Sequence, residues 1–523
     1  MVAAAGTVIG DPMIAAAPPT DAAVTSRRNV CLITSPSIVP WTVVNETQSL
    51  SSAQRTAVRQ LLRIAPVVDE LGERFTAAGY EIALVGGSVR DALLDRLGAD
   101  LDFTTSARPA QTKRLLSGWA DELWEVGAAF GTIGARKHGF QIEITTYRSD
   151  VYDRSSRKPE VSYGETIEDD LVRRDFTVNA MAVRLPAKEF VDPYGGLRDL
   201  AQKSIDTPGS PESSFADDPL RMLRAARFSA QLGFTVAPHV VAAMRAMKDQ
   251  LSIISAERIR DELSKLLLSD RPRAGLTQLV ETGLAKRFLP ELPALQLEID
   301  EHHRHKDVYE HSLTVLEQAM DLEDRLPDGG PDLVTRLAAL LHDIGKPKTR
   351  RLEPGGGVSF HHHDVVGAKL AKKRLTALRF PSAVVDDVAD LVELHLRFHG
   401  YGGGEWTDSA VRRYVRDAGP LLERLHVVTR ADCTARNRRK ALALQRTYDD
   451  LEERIAQLAE QEELAKIRPD LDGNEIMQIL GIGPGPTVGK AYKFLLDLRL
   501  DHGPLGAEAA AEALREWWAA ARD

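Results

Sequence analysis

The hydrophobic pattern of the chain changes near residue 205, and this change constrains the fold more than any other feature. Between about 80 and 200, short apolar segments such as IALV (82–85) and FQIEITTY (140–147) have strand character and alternate with helical patterns. From about 217 onward the periodicity is almost wholly helical. We therefore predict an α+β protein, in which a small mixed-sheet head is followed by an all-α neck, body and tail.

The chain has 523 residues, more than one hydrophobic core usually serves, so several domains are expected. Residues 1–52 are rich in Ala, Pro, Ser and Thr without a sustained period, which is typical of disorder. Breaks rich in glycine and proline divide the remainder. The predicted domains are a disordered extension (1–52), the head (53–205), a helical neck (206–300), a histidine-bearing helical domain (301–445) and a helical tail (446–523).

Composition limits the compartment of the protein. The two cysteines, Cys31 and Cys433, are too few for a disulfide framework, and no apolar run is long enough to cross a membrane. Arg27–Arg28 suggests a twin-arginine export signal, but Ser35 and Pro36 interrupt the apolar stretch that such a signal needs. We therefore expect a cytoplasmic protein without membrane contact.

The charge balance bears on the choice of partner. A net charge of −9 counts mildly against a nucleic-acid partner. It does not exclude one, because phosphates respond to local charge once salt screens distant groups. A basic stripe is a candidate RNA surface, although charge alone favours ordinary solvated helix faces for its members: Arg412, Arg413, Arg416, Arg424, Arg430, Arg436, Arg438, Arg439 and Lys440.

The first dense polar cluster is LVGGSVRDALLDRLGADLDFTT, residues 84–105. Gly86–Gly87, between a predicted strand and a predicted helix, would let a phosphate approach the backbone, and Arg90 adds a forked cation. Asp100 and Asp102 alternate with apolar residues on a strand, so they point to the same face. Adjacent carboxylates repel each other unless a cation such as Mg²⁺ compensates. The candidate magnesium ligands are Asp100, Asp102 and, if its strand adjoins theirs, Glu143.

Two arginine-rich clusters follow, DLVRRDFTVNAMA (170–182) and ADDPLRMLRAARF (216–228). The plain role of Asp218 is to cap the helix that begins there. Asp218 together with Arg221, one turn later, also presents the acceptors and donors that read the edge of cytosine or adenine. The same spacing continues around the helix with Arg224 and Arg227.

A third constellation lies downstream, in the segments HSL, LLHDIGKP, HHHDVVGA, ELH and RADC. Histidine nitrogens combined with carboxylate oxygens suit a divalent transition-metal ion, which can activate a water toward a phosphoester. The candidate ligands are His311, His342, Asp343, His363, His395 and Asp432.

The order LVGGSVRDALL, DLD, RRDFTVNAMA, DPYGGLRDL and DDPLRMLRAARF resembles the class II CCA-adding tRNA nucleotidyltransferases of bacteria, in the polymerase-beta superfamily. The resemblance is most specific over about 80–230. It implies that CMP, CMP and AMP are added to the 3′ end of tRNA from CTP and ATP, without a nucleic-acid template. The implied roles are triphosphate binding by Gly87 and Arg90, magnesium binding by Asp100 and Asp102, nucleotide contact by Arg174, and base reading by Asp218 and Arg221, with Arg224 and Arg227 nearby.

The same resemblance implies two further RNA-related features. In that family a flexible loop helps the switch from C to A, and the polar segment 149–164 fits such a loop. The family's tail grips the tRNA elbow, which favours an RNA contact in 471–495 over a simple helix hairpin.

The histidine motifs resemble the HD superfamily of metal-dependent phosphohydrolases over about 302–440. Within the run 361–363, the pattern HDVVGA favours His363 as the ligand. The resemblance implies a second divalent ion, of a transition metal, in addition to the magnesium of the head. It leaves open whether the domain hydrolyses a substrate or is a degenerate copy kept for packing or RNA contact.

Two alternatives to CCA addition remain. One is a poly(A) polymerase or a partial enzyme that adds only CC or only A, which the long polar loop disfavours. The other is a metal phosphohydrolase whose head only binds RNA, which the intact pair Asp100 and Asp102 disfavours.

Overall fold

The computed structural model of the chain describes residues 64–125, 131–148, 163–296, 307–354, 357–398, 407–433, 438–462 and 467–521. They belong to one of the two compact units into which the chain divides, Ile38–Asp523. The predicted disordered extension and most of the predicted loop lie outside the described residues. None of the helices in these ranges is long and apolar enough to span a membrane.

The head is built on a seven-stranded sheet with the strand order β3-β4-β5-β2-β1-β6-β7. Strand β2 runs parallel to β5, and the other neighbouring strands are antiparallel, so the predicted mixed sheet is confirmed. The strands are β1 Ile82–Val85, β2 Asp100–Thr105, β3 Glu122–Trp124, β4 Thr132–Lys137, β5 Phe140–Thr146, β6 Ala182–Leu185 and β7 Glu189–Val191.

Among the described residues, five α-helices accompany this sheet. The first of them packs against β1 and β6 and buries Val67, Leu71 and Phe75, because apolar residues spaced three or four apart share one helix face. These helices are α1 Ala65–Ala77, α2 Gly87–Leu93, α3 Pro109–Leu116, α4 Ile167–Val172 and α5 Gly196–Gln202.

The described part of the neck follows as six α-helices, with α7 packed against α9 and α10. Strand β8, Ser204–Ile205, pairs in parallel with β9, Thr235–Val236, and so links the two sides of the predicted boundary at 205. The domain boundaries themselves stay a prediction. The neck helices are α6 Pro211–Asp217, α7 Leu220–Leu232, α8 Pro238–Met247, α9 Ala256–Leu267, α10 Pro272–Glu281 and α11 Ala285–Phe288.

The body contains eight described helices and one hairpin, β10 Arg351–Leu352 with β11 Val358–Ser359. The two-residue strands of the neck and the body were not predicted, because such short pairs leave no periodic signal. The body helices are α12 Val308–Asp321, α13 Leu333–Leu341, α14 Lys346–Thr349, α15 His363–Ala377, α16 Ser382–Leu394, α17 Asp408–Ala418, α18 Leu422–Asp432 and α19 Arg438–Gln461.

The tail has a hydrophobic core of its own, which includes the buried residues Ile476, Leu495 and Leu514. Each of the three comes from a different tail helix. The helices are α20 Gly473–Leu480, α21 Pro486–His502 and α22 Ala507–Ala520.

Candidate active site and metal centre

Three carboxylates lie side by side on one face of the head sheet. On β2 the apolar Leu101 and Phe103 are buried, while Asp100 and Asp102 are exposed on the opposite face. The register of β2 and β5 places Asp102 beside Glu143. The strand of Glu143 therefore adjoins that of the two aspartates, as its role as a third carboxylate requires. The sequence alone could not decide it, because β3 and β4 lie between the two strands along the chain.

The electrostatics of this face favour a bound cation. Burial, together with the charge of Asp100, raises the pKa of Asp102, although the guanidinium groups of Arg174 and Arg90 act in the opposite direction. Burial and the two aspartates also raise the pKa of Glu143. Asp102 keeps contact with solvent, although the surrounding protein displaces part of its water. Such oxygen ligands fit Mg²⁺.

The turn before α2 brings backbone and arginine close to the carboxylates. Gly86 has a φ of 67°, and a Cβ atom there would lie 2.7 Å from Nη1 of Arg174. Glycine is therefore required at this position both by the backbone and by the packing of Arg174. We predicted Gly87 as the phosphate-binding glycine, and the requirement at Gly86 was missed. The backbone amide of Asp102 donates to Oγ of Ser88 at 2.9 Å, which ties the turn to β2.

The two arginines expected near the nucleotide, Arg90 at the triphosphate and Arg174 as a nucleotide contact, are both anchored by carboxylates. Arg90 is buried and donates to Oδ1 of Asn179 at 2.5 Å and to Oδ2 of Asp91 at 2.8 Å. Arg174 donates to Oδ2 of Asp170 at 3.0 Å. Burial alone would raise the pKa of the fully buried Asp170, but Arg174 and its neighbour outweigh burial and lower it. Both guanidinium groups thus stand pre-oriented near Asp102.

The structure places Asp218 and Arg221 on different partners rather than together. Asp218 accepts from the backbone amide of Leu220 at 3.1 Å and from Nη2 of Arg258 at 2.7 Å. Arg221 is buried and donates to Oγ of Ser214 at 2.9 Å. Asp218 therefore keeps its capping role. Among the described contacts Asp218 and Arg221 are joined through the backbone alone, where the amide of Arg221 donates to the carbonyl of Asp218 at 3.0 Å.

Further along α7, Arg227 is buried and Arg224 is half-buried. Arg224 donates to Oδ2 of Asp175 through Nε at 2.8 Å and Nη2 at 2.5 Å. Arg227 donates through Nε to Oε2 of Glu262 at 2.6 Å, on the neck side. The arginines thus point in different directions from α7, as their spacing predicted: Arg224 contacts the head through Asp175, and Arg227 contacts the neck through Glu262.

Asp175 and Asn179 form a relay that sequence reasoning did not identify. Nδ2 of Asn179 donates to Oδ1 of Asp175 at 2.9 Å, and Oδ1 of Asn179 accepts from Arg90. Arg224 completes the chain on the other side of Asp175. The relay connects the turn helix α2 with the arginine helix α7. Its only sequence signal was the crowding of polar residues in RRDFTVNA.

The six predicted ligands of the histidine-rich domain come together in the body, on the helices α12, α13, α15, α16 and α18 or at their ends. They form two groups, and within each group the potential ligand atoms lie within 4.8 Å of one another. One group is His311, His342 and Asp432, and the other is Asp343, His363 and His395. The groups adjoin, since Nε2 of His342 lies 3.1 Å from Oδ2 of Asp343. Lys346, which was not predicted, places Nζ 2.9 Å from the same oxygen.

The ring orientations fit metal binding. Three histidines donate through Nδ1 to the carbonyl three residues earlier: His342 to Ala339, His363 to Phe360 and His395 to Val392. This fixes each ring so that Nε2 points into the cluster. Nε2 of His395 is buried without a hydrogen-bond partner, and Nε2 of His363 lies 3.3 Å from Oδ1 of Asp343. A buried nitrogen left unpaired, as at His395, is what a metal ion would satisfy.

Two features explain the HDIGKP motif and the charge state of the cluster. A Cβ atom at Gly345 would collide with the carbonyl oxygen of His363, so the two ligand-bearing segments approach closely only because residue 345 is glycine.

Burial would lower the pKa of His342, but Asp343 and Asp432 outweigh burial and raise it to about 9. The pKa of His395 is in contrast lowered to about 3, by burial and by the charges of His342 and His363. The two carboxylates therefore favour positive charge at His342 in particular.

The predicted basic stripe is largely neutralised among its described members. Each of five arginines has a carboxylate partner, and Arg412 is buried. The prediction of solvated faces is thus corrected for Arg412, whose guanidinium joins α17 to the end of α19. The pairs are Arg412–Glu462, Arg413–Asp501, Arg416–Asp417, Arg424–Asp332 and Arg430–Glu452.

Comparison with known families follows the same division of the chain. Residues 82–206 match the family described as "Poly A polymerase head domain". Residues 233–295 match "Probable RNA and SrmB- binding site of polymerase A", and residues 308–437 match "HD domain".

Two curated relatives are similar over most of their length. The A-adding tRNA nucleotidyltransferase of Deinococcus radiodurans is 35% identical over 84% of this chain and 95% of its own length. The CC-adding tRNA nucleotidyltransferase of Thermus thermophilus is 32% identical over 84% of this chain and 94% of its own. The CCA-adding enzyme of Bacillus subtilis is 41% identical, but the match spans 41% of this chain and 52% of that protein.

Solved structures share the fold. The Bacillus stearothermophilus CCA-adding enzyme in complex with CTP aligns with a TM-score of 0.62 at 23% identity, over 90% of this chain and 99% of that one. The fold of this chain thus recurs in that structure, and two tRNA nucleotidyltransferases match the chain over nearly their whole length. The chain therefore belongs to the tRNA nucleotidyltransferase family with a poly(A) polymerase-type head and an HD domain.

Proposed function

We propose that the protein is a CCA tRNA nucleotidyltransferase, which adds CMP, CMP and AMP to the 3′ end of tRNA from CTP and ATP and releases pyrophosphate. The observation that carries this proposal is the carboxylate face of Asp100, Asp102 and Glu143 beside the Gly86 turn. Membership of the tRNA nucleotidyltransferase family supports the choice of RNA substrate. We place the reaction in the cytoplasm.

In this proposal the head residues act mainly by position and charge. Asp100 and Asp102 hold magnesium, with Glu143 as a third carboxylate. Bound there, magnesium would assist ionisation of the terminal hydroxyl and neutralise the departing pyrophosphate. Arg90 and Arg174 face the triphosphate, and Gly86–Gly87 leaves room for its oxygens to approach the backbone.

Base selection is assigned to the start of α7. Asp218 accepts a hydrogen bond from the amino group that cytosine and adenine share, and Arg221 donates to the neighbouring ring nitrogen. Uracil and guanine present a carbonyl in place of that amino group. Arg224 and Arg227 hold this helix in place through their bonds to Asp175 of the head and Glu262 of the neck.

The choice among full and partial addition deserves a direct test, because the relatives matched over nearly their whole length add only A or only CC. We favour full addition because a long polar segment follows β5. The solved relatives include a CCA-adding enzyme with ATP and one with CTP.

The experiment uses a tRNA transcript that ends before CCA, with magnesium and labelled CTP or ATP, and sizes the products at single-nucleotide resolution. Two added nucleotides with CTP alone, and a third only when ATP is also present, are expected. One A added only to a transcript that already ends in CC would make the protein an A-adding enzyme. A stop after CC would make it a CC-adding enzyme, and a long A ladder a poly(A) polymerase.

For the HD domain we propose a bound divalent transition-metal ion, held by the six clustered residues. The buried, unpaired Nε2 atom of His395 supports it. We further propose phosphohydrolase activity there. The test measures metal content by mass spectrometry, then hydrolysis of p-nitrophenyl phosphate and bis(p-nitrophenyl) phosphate by the Asp100→Asn, Asp102→Asn protein. If the protein contained the metal ion but hydrolysed neither ester, the ion would have a structural role and the proposed phosphohydrolase activity would be refuted.

For the tail we propose a contact with the tRNA elbow through the hairpin of α20 and α21. A solved relative, the Thermotoga maritima CCA-adding enzyme, is complexed with tRNA. Comparing a full tRNA with an acceptor-stem minihelix tests the contact, since only the full tRNA carries an elbow. Equal binding of the two RNAs would refute it.

A further inference from the structure

Helix α9 of the neck presents two charged side chains to the arginine helix α7. They are Arg258 and Glu262, four residues apart and therefore on the same face of α9. Arg258 pairs with Asp218 at the start of α7, and Glu262 pairs with Arg227 at its second half. None of the motifs taken from the sequence includes either residue.

The contact with Arg258 fixes the orientation of the Asp218 side chain. Nη2 of Arg258 lies 2.7 Å from Oδ2 of Asp218, while Oδ1 accepts from the amide of Leu220. Each carboxylate oxygen thus accepts one hydrogen bond, and the two bonds together fix the orientation of the carboxylate. An ionised carboxylate has about four acceptor positions, so further positions remain for a donor from outside the chain.

The helix that carries Arg258 is itself firmly placed. Ser255 caps α9 by accepting from the amide of Arg258. Glu262 is buried and lies 2.6 Å from Nε of Arg227 and 3.6 Å from Nη1 of Arg224. Because α9 is locked onto α7 at this second point, the guanidinium of Arg258 approaches Asp218 from a defined direction.

We propose that Arg258 is a positioning residue for base selection: its bond to Oδ2 orients the Asp218 carboxylate toward the amino group of the incoming cytosine or adenine. This inference rests on the proposed function. Without Arg258 the carboxylate is free to rotate about its side-chain bonds. A rotated carboxylate no longer accepts from the amino group of cytosine and adenine, so these bases lose their advantage over uracil and guanine.

The test measures kcat/KM for CTP and UTP on tRNA lacking CCA, and for ATP and GTP on tRNA ending in CC. Arg258→Gln is compared with Arg258→Lys and with a control, Arg287→Gln. Arg287 is an exposed neck residue paired with Asp249, far along the chain from Asp218. Arg258 is half-exposed, so the variants are expected to fold, and thermal unfolding checks this.

We expect Arg258→Gln to lower discrimination against UTP and GTP by about tenfold, equal to ~1.4 kcal/mol. Arg258→Lys should recover part of it, since the charge remains, and Arg287→Gln should match the wild type. A uniform loss with all four nucleotides, or unchanged discrimination, overturns the inference and leaves Arg258 as a helix brace. Failure of the wild-type protein to use CTP and ATP at all would instead refute the proposed function.

Discussion

Replacement of Asp175 by Asn tests the relay that joins the head to the neck. The carboxylate is 9% exposed and accepts from Arg224, from Asn179 and from the amide of Phe176. Asparagine keeps the shape of the side chain but removes the charge that faces the Arg224 guanidinium. The substitution therefore isolates the electrostatic part of the contact.

The structure gives a magnitude for this change. Burial alone would raise the pKa of Asp175, but Arg224 and Asn179 outweigh burial and lower it from 3.8 to about 2. At ~1.4 kcal/mol per pH unit this corresponds to about 2 kcal/mol of stability at neutral pH. Breaking a buried pair usually costs about 3–5 kcal/mol. We expect a loss of about 2–3 kcal/mol for Asp175→Asn, since the amide retains some hydrogen bonds.

The pH dependence follows from the sign of the shift. The pKa of Asp175 is lower in the folded state, so its contribution is complete above about pH 5 and lost as the pH falls toward 2. The assay is denaturant-dependent hydrogen exchange of amides in β6 and α7, because a multidomain chain does not unfold in one step. The difference between wild type and variant should narrow from pH 6 to pH 3.

The control is Asp121→Asn, which removes an exposed pair with Lys137 on β4. Exposed pairs contribute little, so no measurable change is expected. Equal exchange of wild type and Asp175→Asn at pH 7 would refute the reasoning. So would a difference that stayed constant down to pH 3, because the charge of Asp175 would then not be its source.

Three further predictions concern the two sites. Asp102→Asn should reduce nucleotide incorporation by at least about 10³-fold, with tRNA binding by filter retention unchanged; incorporation at the wild-type rate would contradict the assignment. Gly86→Ala should raise KM for CTP and ATP about tenfold in steady-state kinetics, since a Cβ atom there displaces Arg174; an unchanged KM would show that the turn does not meet the triphosphate. His342→Ala should release the transition-metal ion measured by mass spectrometry while CMP incorporation continues; retention of the metal would exclude His342 as a ligand.

The local elements of the active site follow from the sequence. Alternation of Leu101 and Phe103 with Asp100 and Asp102 was enough to predict a strand with two carboxylates on one face, and the structure confirms it. The glycines before α2 and the helical character of α7 were also readable. Each depends on residues within one or two turns of each other, where periodicity carries the information.

The partners of these residues depended on the tertiary structure. Glu143 joins Asp102 only because β5 lies parallel to β2, and Asp218 pairs with Arg258, 40 residues away, rather than with Arg221. Motif likeness suggested the histidine cluster, yet its two adjoining groups depend on how the body helices pack. The sequence by itself thus determined which segments carry the chemistry. Packing decided which charges meet, because a charged side chain takes the partner that the folded neighbours bring within reach.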